Sequence, residues 1–420
     1  MKFIDFFAGI GGFRRGMELA GHECVGFCEF DKFATMSYTA MHLATQEQMN
    51  YIKALPMKER QKEILNEKYR NGEWYAKDVR QVTGGGMPYA DCWCAGFPCQ
   101  DLSVAGKQAG ITDGNRSSLF FEIMRLLKEA EKENKPRYIF LENVKNLLSI
   151  NQGWDFAKVL NQLDENGYDA EWQVLNSKDF GVPQNRERVF IVGHLRGTGG
   201  SKIFPVNGTD TENRVGLIGH RNGFNRNMQV YDCDGITETL DTSQGGGRGV
   251  YAGIKVIGQS VYDTGKIGQR TGIHSINGDI GAMLATQYKE PPRVAIPVIT
   301  PDRATKRQNG RRFKDNGDPS FTLTAQDRHG VAVGVDVNSA ENGITVEMDN
   351  GAKVYAIWYP KENCYVTIRR LTPKECFRLQ GWTDDYFEKA ELVNSDSQLY
   401  KQAGNGVTVS VIKAIAVLMH

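Results

Sequence analysis

The sequence has no long apolar run. None of its stretches approaches the roughly 20 consecutive apolar residues that a membrane-spanning helix needs. The N-terminus also lacks the charged-then-apolar layout of a secretory signal peptide. We therefore expect a cytoplasmic protein that does not contact a membrane.

Net charge of one sign and a regular cysteine framework are also missing. The 51 Lys and Arg residues nearly balance 50 Asp and Glu residues, so overall charge does not predict a nucleic-acid partner. Eight cysteines without regular spacing are typical of reduced thiols inside a cell. Neither Cys92 with Cys94 nor Cys24 with Cys28 has a partner pair at zinc spacing, so we expect no metal.

The first 195 residues alternate strand-like and helix-like segments. An apolar strand from Lys2 to Phe7 meets the glycine turn Ala8-Gly9-Ile10-Gly11-Gly12-Phe13, and a helix follows. Such glycines let the backbone approach a ligand beside a helix N-terminus, although many turns carry Gly for geometry alone. The alternation predicts an α/β fold with a mostly parallel sheet covered on both faces.

Acidic and aromatic residues follow the next predicted strands. Glu29 ends the strand from Glu23 to Cys28, about 20 residues beyond the turn, where a carboxylate accepts hydrogen bonds from ribose hydroxyls. Phe30 could stack on an adenine, and Asp78 could accept the adenine amine. The alternative for Glu29 is a charge at the N-terminus of the next helix.

A cysteine stands where a strand gives way to a long loop. The apolar run 90–94 precedes Gly96-Phe97-Pro98-Cys99-Gln100, and the loop continues with Gly106, Gly110 and Gly114. Pro98 fixes its own φ and favours extended geometry at Phe97, which aims Cys99. Open α/β sheets bind ligands at this end of their strands. The alternative is a buried structural thiol.

Charged residues end two later strands. Glu142 follows the buried run from Tyr138 to Leu141, where a carboxylate is costly unless it is paired or functional. Arg186 and Arg188 lie two apart on an extended segment and would share one face, which suits a phosphate or a carbonyl oxygen. The alternative for the arginines is a surface charge pair.

A glycine-rich block follows residue 195. From Arg196 to Gly330 there are 22 of the chain's 46 glycines, with 18 Lys and Arg against 13 Asp and Glu, as expected for a region that meets phosphates. A weak threefold repeat predicts three similar β units with variable loops. Their Thr/Leu-rich runs end at Gln244, Gln287 and Gln326. The alternative is a coincidence among Thr/Gly-rich loops.

Two further segments complete the pattern. Residues 45–73 are charged and helical in pattern, which predicts a solvated helical insertion. Near the end of the chain, Asn405 lies between two glycines before an apolar helix. That position suits a ligand turn or an ordinary helix N-cap.

The sequence resembles the bacterial DNA (cytosine-5)-methyltransferase family. The matching blocks occur in the family's order and span nearly the whole chain: Phe7-Ala8-Gly9-Ile10-Gly11-Gly12, Gly96-Phe97-Pro98-Cys99-Gln100, Glu142-Asn143-Val144, Gln184-Asn185-Arg186-Glu187-Arg188, Arg370-Leu371-Thr372-Pro373, Leu379-Gln380-Gly381-Trp382 and Gly404-Asn405. The 45–73 insertion and the repeat block depart from the family pattern.

The resemblance implies an S-adenosylmethionine-dependent methyltransferase with a Rossmann-like domain and a smaller β-rich target recognition domain. Cys99 would attack C6 of a flipped cytosine, Glu142 would bind N3, and Arg188, supported by Arg186, would hold O2. The cofactor, which leaves as S-adenosylhomocysteine, would contact Phe7, Gly9, Ile10, Gly11, Glu29, Phe30, Asp78, Val79, Pro98, Leu119, Asn405 and Val407.

The resemblance also implies partners and domain limits. We expect a monomer that acts on double-stranded DNA near the nucleoid, with or without a cognate restriction endonuclease. Residues 1–195, completed by about 386–420, would bind the cofactor, and 196–385 would recognise the target. The candidate DNA contacts are Ser103, Gln244, Arg248, Gln287, Gln326 and Arg328.

Three other functions remain open from sequence. A tRNA-modifying relative would share the core motifs but resembles the family with a much smaller recognition region. A non-catalytic DNA-binding relative would not need Cys99, Glu142 and Arg188 together. A nicotinamide-dependent dehydrogenase would explain the glycine turn but neither Cys99 nor the repeat block.

Overall fold

The chain forms two compact units in the computed structural model. The structure describes residues 1–97, 119–199, 201–208 and 364–420, together with 217–220, 229–231, 251–252, 256–261, 267–274, 295–299, 313–314, 319–323, 329–335, 344–347 and 353–359. Unit 1 contains Met1–Thr209, Thr322–Gln326 and Thr372–His420, and unit 2 contains Asp210–Phe321 and Asp327–Leu371.

Unit 1 is built on a seven-stranded sheet. Its strands are β1 Lys2–Phe6, β2 Glu23–Cys28, β3 Trp74–Ala76, β4 Cys92–Ala95, β5 Tyr138–Val144, β6 Tyr168–Asn176 and β7 Glu187–Leu195. They lie in the order β3-β2-β1-β4-β5-β7-β6. The first five strands in this order pair in parallel, which confirms the predicted mostly parallel α/β sheet.

The far edge of the sheet reverses direction. Strand β7 pairs antiparallel with both β5 and β6. The chain passes from β6 to β7 through the 3₁₀ helix Ser177–Phe180 and a short loop. Parallel neighbours need a longer crossover, so this short connection accounts for the reversed strand.

Ten α-helices accompany the strands within the described part of the chain. They are α1 Gly12–Leu19, α2 Lys32–Tyr38, α3 Gln46–Ala54, α4 Met57–Glu63, α5 Leu119–Glu129, α6 Trp154–Glu165, α7 Pro373–Arg378, α8 Asp384–Glu391, α9 Asp396–Asn405 and α10 Val409–Ala416. A π-helix, Thr39–Leu43, continues α2.

Hydrophobic cores cover both faces of the sheet. Along β5, Ile139 and Leu141 point to the face packed by α5 and α6, whereas Tyr138 and Phe140 point to the face packed by α1 and α10. This two-residue alternation follows from strand geometry. It leaves the carboxyl ends of the strands as the place where polar groups can gather.

The 45–73 insertion is helical, as its pattern predicts. Helices α3 and α4 precede the 3₁₀ helix Glu67–Arg70. Met49, Ile52, Ile64 and Tyr69 are buried in a small cluster that also includes Val393. The insertion therefore has a charged outer surface and an apolar contact that joins it to the rest of unit 1.

The described part of unit 2 contains only strands and short irregular segments. The strands are β8 Leu217–His220, β9 Gln229–Tyr231, β10 Tyr251–Ala252, β11 Val256–Val261, β12 Ile267–His274, β13 Ala295–Ile299, β14 His329–Val335, β15 Ile344–Glu347, β16 Lys353–Tyr359 and β17 Cys364–Arg370. Strands β13 to β17 form an antiparallel sheet in the order β13-β14-β17-β16-β15.

Across the described residues, no helix combines the length and the apolar character that a membrane span requires.

Candidate active site

The glycine turn and Glu29 meet at the carboxyl ends of β1 and β2. Phe7 and Gly9 adopt positive φ angles of 55° and 56°, and the Gly11 amide donates to the Ala8 carbonyl at 2.7 Å. A positive φ at a phenylalanine is rare and signals a constrained turn. The Gly9 amide donates to Glu29 Oε2 at 2.7 Å, so the turn and the carboxylate hold each other.

Glu29 also accepts a second main-chain hydrogen bond. Its Oε1 takes the Asp31 amide at 2.7 Å. Burial raises the pKa of Glu29 to about 7, although both amides favour the ionised carboxylate. Asp31, which accepts from the Phe33 amide at 2.8 Å, is the N-cap of α2. The helix-terminus role considered for Glu29 therefore belongs to Asp31.

Phe30 follows Glu29 directly, and Asp78 and Val79, the other residues expected around an adenine, follow the end of β3, which pairs with β2. Phe30 is 63% exposed, which leaves its ring available for stacking. Asp78 accepts from the Arg80 guanidinium at 2.7 Å and caps a short 3₁₀ helix, and these bonds lower its pKa. Val79 is buried, and Leu119 begins α5, partly buried against the same core.

The C-terminal segment closes against the glycine turn. A Cβ on Gly12 would lie 2.6 Å from the Val407 side chain, so only glycine permits this approach. Asn405 is the last residue of α9 and is exposed, whereas Thr408 occupies the N-cap position of α10. The helix-cap alternative for Asn405 therefore does not apply.

Glu142, near the carboxyl end of β5, and Arg188, near the start of β7, form an ion pair. Arg188 Nε lies 3.0 Å from Glu142 Oε1, and both side chains are mostly buried. In the ladder between β5 and β7, Arg188 is opposite Val144, so it is the diagonal neighbour of Glu142 on one face. The guanidinium supplies the counter-charge that a buried carboxylate requires.

The end of β4 passes directly beside this pair. A Cβ on Gly96 would lie 3.7 Å from Glu142 Oε2, and Asn143 Nδ2 donates to the Phe97 carbonyl at 3.2 Å. Asn143 therefore holds the last described residue of the loop that leads to Cys99. Its only sequence signal is its place in Glu142-Asn143-Val144.

Arg186 occupies a different environment from Arg188. It is 3% exposed and precedes β7, and its guanidinium donates to the Leu323 carbonyl at 3.0 Å and the Gly406 carbonyl at 2.7 Å. It also approaches the Gly404 carbonyl at 3.4 Å. The two arginines that share a sequence motif thus differ in their partners. Arg188 pairs with the Glu142 carboxylate and also donates to the Glu187 carbonyl at 2.8 Å, whereas Arg186 donates to main-chain oxygens of distant residues.

Several expected site residues lie outside the described residues: Pro98, Cys99, Ser103, Gln244, Arg248, Gln287, Gln326 and Arg328. Among the residues that the structure does describe, no group of three His, Cys, Asp or Glu side chains could hold a metal ion.

Known proteins resemble the chain over nearly its full length. The family model of the C-5 cytosine-specific DNA methylase matches residues 1–55 and 44–419. The type II methyltransferase M.HhaI of Haemophilus parahaemolyticus is 38% identical over 99% of this chain and 93% of its own length. The orphan methyltransferase M.SPRI of Bacillus phage SPR is 31% identical over 99% and 96%. The S. pombe Dnmt2 methyltransferase shares the fold, with a TM-score of 0.50 at 16% identity over 100% and 98%.

Proposed function

The chain belongs to the C-5 cytosine-specific DNA methylase family and is a DNA (cytosine-5)-methyltransferase, and from that premise we propose how its residues carry out the reaction. The methyl donor is S-adenosylmethionine. The target cytosine is flipped out of duplex DNA, because C5 and C6 are inaccessible in a stacked helix.

Cys99 is the proposed nucleophile. Its thiolate adds to C6, and the electron pair of the C5–C6 double bond makes C5 nucleophilic. C5 then takes the methyl group from the sulfonium, which leaves S-adenosylhomocysteine. Solvent water takes the C5 proton, and the electron pair of the C5–H bond re-forms the C5–C6 double bond as the C6–S bond breaks. This restores the aromatic ring and the thiolate.

Glu142 and Arg188 are the proposed partners of the base. Glu142, protonated from solvent, donates its proton or a strong hydrogen bond to N3 of the base, and Arg188 stabilises the O2 side of the adduct. The observation that carries this proposal is the 3.0 Å Glu142–Arg188 pair beside Gly96, three residues before Cys99. Arg186 supports them by holding neighbouring main-chain oxygens.

The proposed cofactor pocket lies at the carboxyl ends of β1, β2 and β3. The Glu29 carboxylate accepts from the ribose hydroxyls, and the exposed Phe30 ring stacks on the adenine. Asp78 and Val79 border the adenine, while Val407 packs behind the turn at Gly12. Phe7, Gly9, Ile10, Gly11, Pro98, Leu119 and Asn405 complete the contacts.

The glycine-rich block is the proposed DNA reader. Residues 196–385 would recognise the target, while 1–195 with 386–420 bind the cofactor and catalyse. Gln244, Arg248, Gln287, Gln326 and Arg328 would read bases, with Ser103 on the loop after Cys99. Methylating a random-sequence library with Arg248→Ala tests this, because an unchanged site preference would mean that the repeats only position the DNA.

The chain would act as a monomer on double-stranded DNA in the cytoplasm, at the nucleoid. Size-exclusion chromatography with light scattering tests the monomer, and a dimer at assay concentrations would contradict it. A genetic experiment tests for a cognate restriction endonuclease. Cells that carry the gene neighbourhood without the methyltransferase gene should die if one is encoded there and survive if none is.

The Cys99→Ser variant tests the mechanism. A hydroxyl is far less ionised than a thiol near neutral pH, so methylation should fall below detection while S-adenosylmethionine binding survives. DNA with 5-fluorocytosine should trap a covalent complex through Cys99 in the wild-type protein, because fluorine does not leave as a proton does.

Cys24→Ser is the matched control. Burial raises the pKa of Cys24 to about 12, so that thiol is not ionised at neutral pH and its replacement should leave methylation unchanged. Near-wild-type turnover by Cys99→Ser, or methylation of tRNA in preference to duplex DNA, would overturn the proposed function.

A further inference from the structure

A buried histidine lies behind the glycine turn and has no part in the chemistry above. His42 belongs to the π-helix Thr39–Leu43 that continues α2. Such helices often occur at functional sites because they redirect a side chain within an otherwise regular helix. Here the redirected side chain is an imidazole, and it faces the turn proposed to bind the cofactor.

The imidazole contacts the backbone of the turn directly. Its Nε2 lies 2.9 Å from the Ile10 carbonyl oxygen. A Cβ on Gly11, whose φ is 84°, would lie 2.4 Å from the same nitrogen. The ring thus fills the space in which any side chain at position 11 would otherwise stand.

Three aromatic side chains, from α2, from α8 and from the loop before α8, surround the ring. Its centroid lies 4.9 Å from that of Tyr38, 5.8 Å from Trp382 and 5.4 Å from Tyr386. Burial holds the pKa of His42 well below its usual range, so the ring is neutral. A carbonyl oxygen can only accept a hydrogen bond, so Nε2 carries the proton and donates to the Ile10 oxygen.

The hydrogen bond fixes one peptide plane. In a trans peptide the carbonyl and the following N–H point in opposite directions. When His42 holds the Ile10 carbonyl, the Gly11 N–H must point away from the ring, and there it donates to the Ala8 carbonyl at 2.7 Å. The histidine therefore supports the bond that closes the turn.

From this geometry we infer that His42 is a positioning residue for the methyl donor. It holds the Ile10–Gly11 peptide in the orientation that the occupied turn requires, and it does so without touching the ligand. The inference rests on the proposed function, in which this turn binds S-adenosylmethionine.

Two variants separate the hydrogen bond from the bulk of the ring. His42→Met fills much of the same volume without an N–H donor, and His42→Gln places an amide N–H near the position of Nε2. Loss of one neutral hydrogen bond is a modest effect, so His42→Met should raise the Kd for S-adenosylmethionine about threefold to tenfold. His42→Gln should return it to within about twofold of wild type, and the KM for DNA should not change in either variant.

His22→Met is the matched control. The His22 Nε2 also contacts a main-chain oxygen at 2.9 Å, that of Ala416, but it lies beyond the opposite end of α1 from the glycine turn. Its loss should lower the melting temperature without weakening cofactor binding. Calorimetric titration with S-adenosylmethionine and thermal unfolding of each variant provide both readouts.

The outcomes are distinct. Unchanged affinity in His42→Met, or an equal loss of affinity in His22→Met, would show that His42 only stabilises the core. Should His42→Met not fold, His42→Asn replaces it, because its shorter amide keeps polarity but not reach, and unchanged affinity there contradicts the inference. If the wild-type protein itself binds no S-adenosylmethionine, the proposed function fails first and the inference falls with it.

Discussion

Two glutamates near the carboxyl ends of the parallel strands are held in opposite ways. Glu29, after β2, is surrounded by main-chain amides, and both of its oxygens accept N–H groups from Gly9 and Asp31. Glu142, within β5, faces the Arg188 guanidinium at 3.0 Å. One carboxylate is held by dipoles of the local chain and the other by a full charge from a neighbouring strand.

These different surroundings give the two carboxylates different electrostatic properties. Amide dipoles offset only part of the desolvation of Glu29, so its pKa rises to about 7 and its charge remains sensitive to its surroundings. An arginine stays protonated at any physiological pH and fixes the geometry of Glu142. We therefore place ligand-dependent charge at Glu29, in the half proposed to bind the cofactor, and an ion pair with Arg188 at Glu142, in the half proposed to catalyse.

Removing Arg188 should have the largest effect. Arg188→Ala leaves Glu142 buried without its counter-charge and removes the group proposed to stabilise the adduct. We expect kcat to fall by about 10²–10³-fold, the usual loss for one such electrostatic group, with little change in S-adenosylmethionine affinity. Single-turnover methylation and calorimetry measure the two quantities.

Lys145→Ala is the control for that experiment. Lys145 pairs with Glu187, the residue before Arg188, at 3.0 Å. Both members of this pair are exposed, and such pairs contribute little. A kcat within about threefold of wild type for Arg188→Ala, or an equal loss for Lys145→Ala, would remove Arg188 from the mechanism.

Local sequence patterns predict much of the fold and part of the site. The strand–turn–helix pattern, the acidic end of β2 and the carboxylate of β5 all follow from local periodicity, and the mostly parallel sheet follows from their alternation. The reversed direction of β7 does not follow from it. That direction depends on the length of the β6–β7 connection, which is defined only when the bounds of both strands are known.

Long-range contacts explain the rest. Arg186 and Arg188 share a motif and an expected face, yet Arg186 precedes β7 and binds the carbonyl of Gly406, 220 residues away. His42 carries no local signal, because its partner Ile10 lies 32 residues earlier in another element. Such pairs arise from tertiary packing, which a single sequence does not reveal.

Removing Glu29 should weaken the cofactor half alone. Glu29→Ala takes away the acceptor proposed for the ribose and also frees the Gly9 amide. A hydrogen bond to a charged group is worth about 1.5–3 kcal/mol, so S-adenosylmethionine should bind about tenfold to 150-fold more weakly. Methylation at saturating cofactor should remain near wild type.

Glu23→Ala is the matched variant, because Glu23 is an exposed glutamate at the other end of the same strand. Calorimetry should show no change there. If Glu29→Ala also binds with wild-type affinity, its carboxylate only shapes the turn and the ribose contact lies elsewhere.

A pH series should give the smallest and most diagnostic effect. The folded pKa of Glu29, about 7, lies above its ordinary value near 4.5, so between these values the folded protein binds more protons than the unfolded chain. The free energy of unfolding therefore loses this contribution as the pH rises toward 7.

Binding of S-adenosylmethionine, a sulfonium cation, favours the ionised carboxylate and releases the proton. Its affinity should rise roughly tenfold from pH 6 to pH 8, following the ionised fraction. The amino group of the ligand titrates in the same range, so Glu29→Gln supplies the reference. The wild-type rise should exceed that of Glu29→Gln by about this factor, and parallel profiles for the two proteins would show that Glu29 does not change charge when the cofactor binds.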